Sequence, residues 1–470
     1  MKSFDLIVIG GGPGGYIGAI RAAQQGLKTA LIEERDLGGT CLNRGCIPTK
    51  ALMHASHLYH QMKESEIFGI QTGGISYDMQ AIYSRKNQVV EQLRDGVEGL
   101  LKANGVSCYL QGRAKLLDQG RVEVIGGEEE ALLHGENILL ATGAAPARPP
   151  IPGMDLPGVI TSDELLDGEP LDCKSLVVIG GGVIGMEVAT VYANLGAAVT
   201  VIEAAERILP HMDREIAQNL SMILKKRGVT LHTASTVEKI EAGEQGLVVT
   251  FSGKKGEEQA RGEAVLAAVG RKANTKNLLA EGLTLEEDRG ITINHRFQTS
   301  LPGVYAIGDC TSNTIQLAHV ASAQAANAVA IIAGKEPPIN LQVVPGCVYT
   351  DPEIATVGLS AQEAKEQGIP VETSKYIMSG NGKSILENQE RGFVKLVFHA
   401  EKQTLLGAQL MCGRATDLVG ELASAIANGL TAKDLEKVIH PHPTFSEGIL
   451  EGVEELFGTA PHVTPKRKPK

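Results

Sequence analysis

FDLIVIGGGPGGYIGAIRAAQQGLKTALIEE, residues 4–34, and KSLVVIGGGVIGMEVATVYANLGAAVTVIEA, residues 174–204, follow one pattern. Each opens with an apolar, β-branched run of strand length and passes through glycines into an Ala-rich helical stretch. A further glycine then leads to a second apolar run ending in Glu. Both contain G-x-G-x-x-G, as Gly10, Gly12, Gly15 and as Gly180, Gly182, Gly185. Glu33 lies 23 residues after Gly10, and Glu203 lies 23 after Gly180. The first glycine permits the tight turn and the second lets backbone approach a pyrophosphate. The third lets helix and strand pack closely, and the helix N-terminus faces the phosphates. The acid accepts hydrogen bonds from ribose hydroxyls. The repeat therefore predicts an α/β chain with two Rossmann-like dinucleotide-binding domains. Glu203 favours NAD at the second site, because a carboxylate there repels a 2′-phosphate. Arg207 nearby points the other way unless it is a plain surface residue.

The stretches after each copy also read as strands ending at a ligand. NILLATGAAPARPPIPG reaches Thr142 and Gly143 before a Pro-rich boundary, and AVLAAVGRKANT reaches Gly270. GVYAIGDC ends in Gly308-Asp309, an acid at the carboxyl end of a strand, where open α/β sheets bind ligands. From about Leu341 the texture changes to strands, a hairpin and helices without a glycine fingerprint, which predicts a separate α+β domain.

Composition narrows the class. A net charge of −11 argues against nucleic-acid binding. No run approaches the roughly 18 apolar residues that cross a bilayer, so no membrane role and a cytoplasmic location are expected. The basic tail TPKRKPK reads as solvated. Seven cysteines, five of them scattered, do not form a secreted disulfide framework. Cys41 and Cys46 in LGGTCLNRGCIPTKAL are the exception. A metal clip lacks a second cysteine pair, so no metal is expected. A structural staple does not suit a reducing cytosol. Two unrelated buried thiols or a working redox pair remain, and the position just after the first nucleotide unit favours the latter. A dithiol substrate attacks as thiolate and needs a base. His442 fits, if the chain folds back so that Glu447 orients it.

With these residues in view, the chain resembles the flavoprotein disulfide reductase family nearly end to end. The motifs are GGGPGGYIGAIRAAQ, GGTCLNRGCIPTKAL, GGGVIGMEVA, VYAIGD and HPHPTFSE, in the family's order. The resemblance implies FAD and NAD as cofactors. Gly10, Gly12, Gly15 and Glu33 would hold the ADP half of FAD, with Ala114 near the adenine. Thr40, Lys50, Thr142, Gly143, Asp309 and Ala318 would complete the FAD site. Gly180, Gly182, Gly185, Glu203, Val237 and Gly270 would line the NAD site. Cys41 would form the mixed disulfide, Cys46 would face the flavin, and Glu187 would pair with Lys50. The implied domains are 1–150 for FAD, 151–272 for NAD, 273–342 completing the FAD region, 343–461 for dimerisation, and a disordered tail 462–470. Two departures are visible: MSGNGKSILENQERGFVK lacks the usual small Asn-x-Arg-Ala element, and LAHVASAQAANAV replaces an acid-glycine step.

The function implied is FAD-dependent oxidation of a protein-bound dihydrolipoyl group to lipoamide, with reduction of NAD⁺ to NADH. The implied assembly is a homodimer, because in the family the base comes from the partner subunit. The partner would be a lipoyl-bearing acyltransferase of a 2-oxo acid dehydrogenase complex or a glycine-cleavage carrier protein. A related NAD(P)H-dependent reductase of the glutathione or mercuric type is the alternative. Glu203 and the His440-Pro441-His442 arrangement speak against the first, and the lack of a C-terminal cysteine pair against the second. A subunit serving assembly alone would not need both cysteines, His442 and Glu447.

Overall fold

The computed structural model describes residues 1–281, 283–389 and 391–464, so most of the basic tail lies outside the described residues. The chain forms two compact units. One comprises Met1–Gly180, Glu238–Thr250 and Gln259–Leu341; the other comprises Gly181–Val237, Phe251–Glu258 and the residues from Gln342 onward.

The first unit is built on a seven-stranded sheet. The apolar run of the first motif forms strand Lys2–Ile9, flanked by Thr29–Glu33 on one side and Ala131–Leu140 on the other, all parallel. Ser107–Leu110 extends one edge in parallel, and Val304–Ala306 pairs parallel with Ala131–Leu140. Arg121–Ile125 and Arg113–Leu116 add an antiparallel wing. Ile9 pairs with Leu140, and Leu140 with Ala306, so three strands end level. That register delivers Gly10, Ala141–Gly143 and Gly308–Asp309 to one carboxyl edge.

The helix after the first glycine turn, Pro13–Gln24, buries Gly14, Gly15, Gly18, Ala19 and Ala22. A Cβ on Gly18 would sit 3.3 Å from Leu139 and 3.6 Å from Ala325. Small residues on that face allow close approach to the Ala-rich helix Ala318–Ile332. The unexpected polar residues of that second helix are satisfied. Gln324 accepts from the Gly308 N–H at 2.7 Å, and Asn327 exchanges two hydrogen bonds with the Ile339 backbone. The unit also carries three parallel strands, Val159–Thr161, Ala264–Ala267 and Ser175–Ile179, the last ending at Gly180.

In the second unit, helix Val183–Leu195 begins directly after Gly182, and strands Ala198–Ile202 and Thr230–His232 pair in parallel. Its C-terminal part is a five-stranded sheet in the order Gly346–Val348, Glu353–Gly358, Leu405–Cys412, Phe393–His399, Val371–Ile377. Every neighbouring pair is antiparallel. The core there is continuous from Val394, Leu396 and Leu410 to Val419 and Leu422 of helix Ala415–Ala427 and Ile449 and Val453 of helix Glu447–Phe457. No helix among the described residues is long and apolar enough to cross a membrane.

A Cβ on Gly15 would lie 1.7 Å from the Gly10 carbonyl oxygen, a clash with backbone that no rotamer relieves. Gly15→Ala should therefore destabilise the protein by at least the roughly 1–3 kcal/mol of ordinary overpacking. Gly182, with φ −74° and nothing near its would-be Cβ, should tolerate alanine far better. Thermal melts of the two variants check this; equal losses would contradict it.

Candidate functional site

Both glycine turns adopt the same local structure. Gly10 has φ +103° and Gly180 φ +109°, a region that L side chains rarely enter. At each, a Cβ would lie 2.3 Å from a carbonyl oxygen of the neighbouring strand end, Ala141 or Ala268. Each terminal acid is clamped by backbone. Glu33 accepts from Gly11 N–H and Arg35 N–H, both at 2.6 Å, and Glu203 accepts from Gly181 N–H at 2.5 Å and Ala205 N–H at 2.6 Å. Burial pushes the Glu33 carboxyl up, against those hydrogen bonds. Arg207 donates to the Pro210 and Met212 carbonyls at 2.8 and 3.3 Å, which makes it a brace of its own loop. Val237 is half-buried in strand Thr236–Gly243, and Gly270 has φ +110°.

In the first unit the level strand ends assemble a cradle. Thr142 Oγ1 donates to the Asn274 carbonyl at 2.7 Å, and Asn274 donates back to the Thr142 and Gly143 carbonyls. The Asp309 carboxyl is pushed up by burial, with Arg271 pulling it back. Arg271 also donates to Thr40 Oγ1 at 3.4 Å and to the Ala144 carbonyl. Ala318 opens its helix, and Ala114 is buried in strand Arg113–Leu116. A narrow glycine turn, a clamped acid and a half-buried carboxylate on one sheet edge fit a dinucleotide with a polyol chain, as FAD has.

The cysteine segment is docked on that turn. Gly38 N–H donates to the Gly11 carbonyl at 2.8 Å. A Cβ on Gly39, whose φ is +56°, would lie 2.6 Å from Gly12 Cα. Helix Gly39–Arg44 carries Cys41, Gly45 breaks the chain direction, and helix Cys46–Lys63 starts on the second cysteine. Pro48 is tolerated because it stands in the first turn of that helix. Neither cysteine is joined in a disulfide in the structure. A hydrogen bond to Cys46, then burial, pushes the Cys41 thiol up, while the charge of Lys50 one turn along draws it down. The phenol of Tyr16, which the sequence did not single out, is pushed up by burial and by the charge of Cys41.

In the second unit the chain folds back after His442, whose Nδ1 lies 2.8 Å from Glu447 Oε1. Glu447 Oε2 accepts from Thr444 N–H at 2.8 Å. Burial alone would raise the Glu447 carboxyl, but these two hydrogen bonds hold it below the usual range. His442 itself is exposed, with 77% of its side-chain surface free in the single chain. Glu187 is buried and accepts from Tyr349 N–H at 3.0 Å. Three contacts around this segment were not read from sequence. Asn381 Nδ2 donates to the Thr444 carbonyl at 3.0 Å, from within the departing MSGNGKS stretch. His440 Nε2 lies 3.1 Å from Glu421 Oε1, its side chain almost fully buried. His462, the first residue of the expected tail, lies 2.5 Å from Glu451 of the helix that begins at Glu447, and Val463 packs on the core.

The His440 pair makes stability depend on pH. Its hydrogen bond to Glu421 raises the imidazole above the ordinary value of about 6.5, with burial opposing and the Glu447 charge assisting. A raised folded value gives stability that is full below the unfolded value and lost as pH rises through the folded one. The melting-temperature gap between wild type and Glu421→Gln should be widest near pH 6, at about the ordinary histidine value, and close in alkali. A gap independent of pH would contradict the pairing.

Comparison with known proteins agrees with this geometry. Residues 4–325 match the family described as pyridine nucleotide-disulphide oxidoreductase, and residues 344–453 match its dimerisation domain. The dihydrolipoyl dehydrogenase of Geobacillus stearothermophilus is 39% identical over 98% of both chains. That of Bacillus subtilis strain 168 is 37% identical over 98% of this chain and 99% of its own. Among solved structures, the HOCl-induced flavoprotein disulfide reductase RclA from Escherichia coli superposes with TM-score 0.85 at 29% identity, covering 96% of this chain and 99% of its own. LpdA from Mycobacterium tuberculosis gives 0.87 at 25% identity, covering 97% and 100%. The chain belongs to the pyridine nucleotide-disulphide oxidoreductase family.

Proposed function

We propose that this oxidoreductase, as a homodimer, oxidises a protein-bound dihydrolipoyl group to lipoamide and reduces NAD⁺ to NADH. The observation that carries the reading is the seating of Gly38 and Gly39 on Gly11 and Gly12. It sets the Cys41–Cys46 segment against a dinucleotide turn in the unit that also holds Asp309. The names of the full-length relatives support the substrate.

In this reading Gly10, Gly12, Gly15, Glu33, Thr40, Ala114, Thr142, Gly143, Asp309 and Ala318 hold FAD. Gly180, Gly182, Gly185, Glu203, Val237 and Gly270 hold NAD. When bound, FAD supplies two-electron chemistry between the thiol pair and the nicotinamide. The partner subunit's His442 takes a proton from the first substrate thiol, with Glu447 fixing the tautomer and supporting the cation. The thiolate attacks Cys41 Sγ, the Cys41–Cys46 bond breaks, and Cys46 leaves as thiolate. The second substrate thiol then attacks the substrate sulfur of the mixed disulfide, its proton passing to the departing Cys41 sulfur, which releases lipoamide and the Cys41 thiol. Lys50 supplies positive charge near the developing anion. A lipoyl-bearing acyltransferase of a 2-oxo acid dehydrogenase complex, or a glycine-cleavage carrier protein, brings the substrate in the cytoplasm.

NAD⁺ is favoured over NADP⁺ because Glu203 occupies the ribose position and Arg207 is tied to Pro210 and Met212. Steady-state turnover of dihydrolipoamide should be fast with NAD⁺ and slow with NADP⁺. His442→Gln should lower it by roughly 10²–10⁴-fold, the usual worth of a general base, with flavin content unchanged. Given oxidised lipoamide, Cys46→Ser should form a mixed disulfide, its Cys41 thiolate opening the lipoyl disulfide and releasing the other lipoyl sulfur as a thiol, and Cys41→Ser should not. Survival of turnover in His442→Gln would remove the base assignment. Faster turnover of glutathione disulfide with NADPH would overturn the substrate.

A further inference from the structure

Arg44 stands between the two cysteines and plays no part in the steps above. It ends the helix that carries Cys41, and its side chain is 5% exposed. Its Nη2 lies 2.8 Å from Asp36 Oδ2, and its Nε lies 3.6 Å from Asp167 Oδ2. Asp36 also receives Arg94 of helix Met79–Ala103 at 3.2 Å. Asp167, the last residue of helix Ser162–Asp167, also receives Arg35 at 3.3 Å. The guanidinium is thus the centre of a chain Arg94–Asp36–Arg44–Asp167–Arg35 that fastens the cysteine helix to two others. Next to it, Asn43 Nδ2 donates to the Leu37 and Gly39 carbonyls, each at 2.9 Å.

A buried ion pair is a poor source of stability, because desolvation offsets most of the attraction and an apolar side chain of similar volume serves as well. What it supplies is direction. The cysteine helix is pinned at its start by Gly39 on Gly12 and at its end by Arg44. Only Gly45 separates Arg44 from Cys46. With both ends fixed, the two sulfurs stay within hydrogen-bonding reach as thiols. Little conformational freedom is then lost when they close to a disulfide.

We propose that Arg44 is a positioning residue that keeps the reduction potential of the Cys41–Cys46 pair low by holding the two sulfurs together in the dithiol state. The proposal rests on the reading of this pair as the redox centre. Releasing the anchor should lower the effective concentration of one thiol at the other, so the disulfide is favoured less and the pair is reduced more easily.

The test is redox equilibration of the flavin-loaded protein under anaerobic conditions in graded mixtures of reduced and oxidised dithiothreitol. The reagent's two thiols give up two electrons and two protons and close to its cyclic disulfide. The Cys41–Cys46 bond takes them up and opens to two thiols. The dithiol fraction is read by alkylation and mass mapping, independently of turnover. Arg44→Met should weaken the disulfide about tenfold, a rise of about 30 mV for this two-electron couple. Arg44→Lys, which keeps a charge for Asp36, should fall nearer to wild type than Arg44→Met. Should Arg44→Met not accumulate as folded protein, Asp36→Asn and Asp167→Asn at their partly exposed positions decide by the same readout, and each should shift the potential upward. Potentials equal to wild type in all folded variants would overturn the proposal. A wild-type pair that does not cycle at all would overturn it through the redox reading itself.

Discussion

The structure depends on a contact that only glycine can make. Gly39 approaches Gly12 so closely that a Cβ on Gly39 would lie 2.6 Å from Gly12 Cα. The Gly38 N–H bonded to the Gly11 carbonyl fixes the same approach from one residue earlier. Through these two backbones, a nucleotide turn and a thiol-bearing helix share one edge of one sheet. The level ends of the strands closing at Ile9, Leu140 and Ala306 then place Gly10, Thr142 and Asp309 around them. Packing decides the chemistry here, because it determines which groups a bound dinucleotide would meet.

The second glycine turn repeats the first down to the clamp on its acid, yet no thiol pair accompanies it in the sequence. Glu33 and Glu203 each accept two backbone N–H groups, so both carboxylates are oriented before any ribose arrives. The repeated pattern gives two turns of like geometry. The Cys41–Cys46 segment follows only the first, which makes the two chemically unequal.

Much of this was legible in the sequence because it is written in local patterns. Glycine spacing, the period of the apolar runs and the acid 23 residues on all act within one βαβ unit. The fold-back joining His442 to Glu447 was legible for the same reason, since both lie within one turn-rich stretch. What escaped was contact made across long sequence separations. Nothing local marks Arg44 as buried against Asp167, His440 as the partner of Glu421, or Asn381 as the donor to the Thr444 carbonyl. The repeated His in HPHPT is the one local signal for the second pair. Gln324 shows the converse: a residue that looked like a departure fills a backbone need at Gly308.

The central claim is that Cys41 and Cys46, alone among seven cysteines, carry substrate electrons. One equivalent of dihydrolipoamide added anaerobically to flavin-loaded protein without NAD⁺, followed by alkylation and mass mapping, tests it most directly. The account predicts lipoamide formed in step with new label at Cys41 and Cys46, with the other five cysteines unchanged. Lipoamide formed with no gain of label at either residue and no change in the flavin spectrum would contradict it.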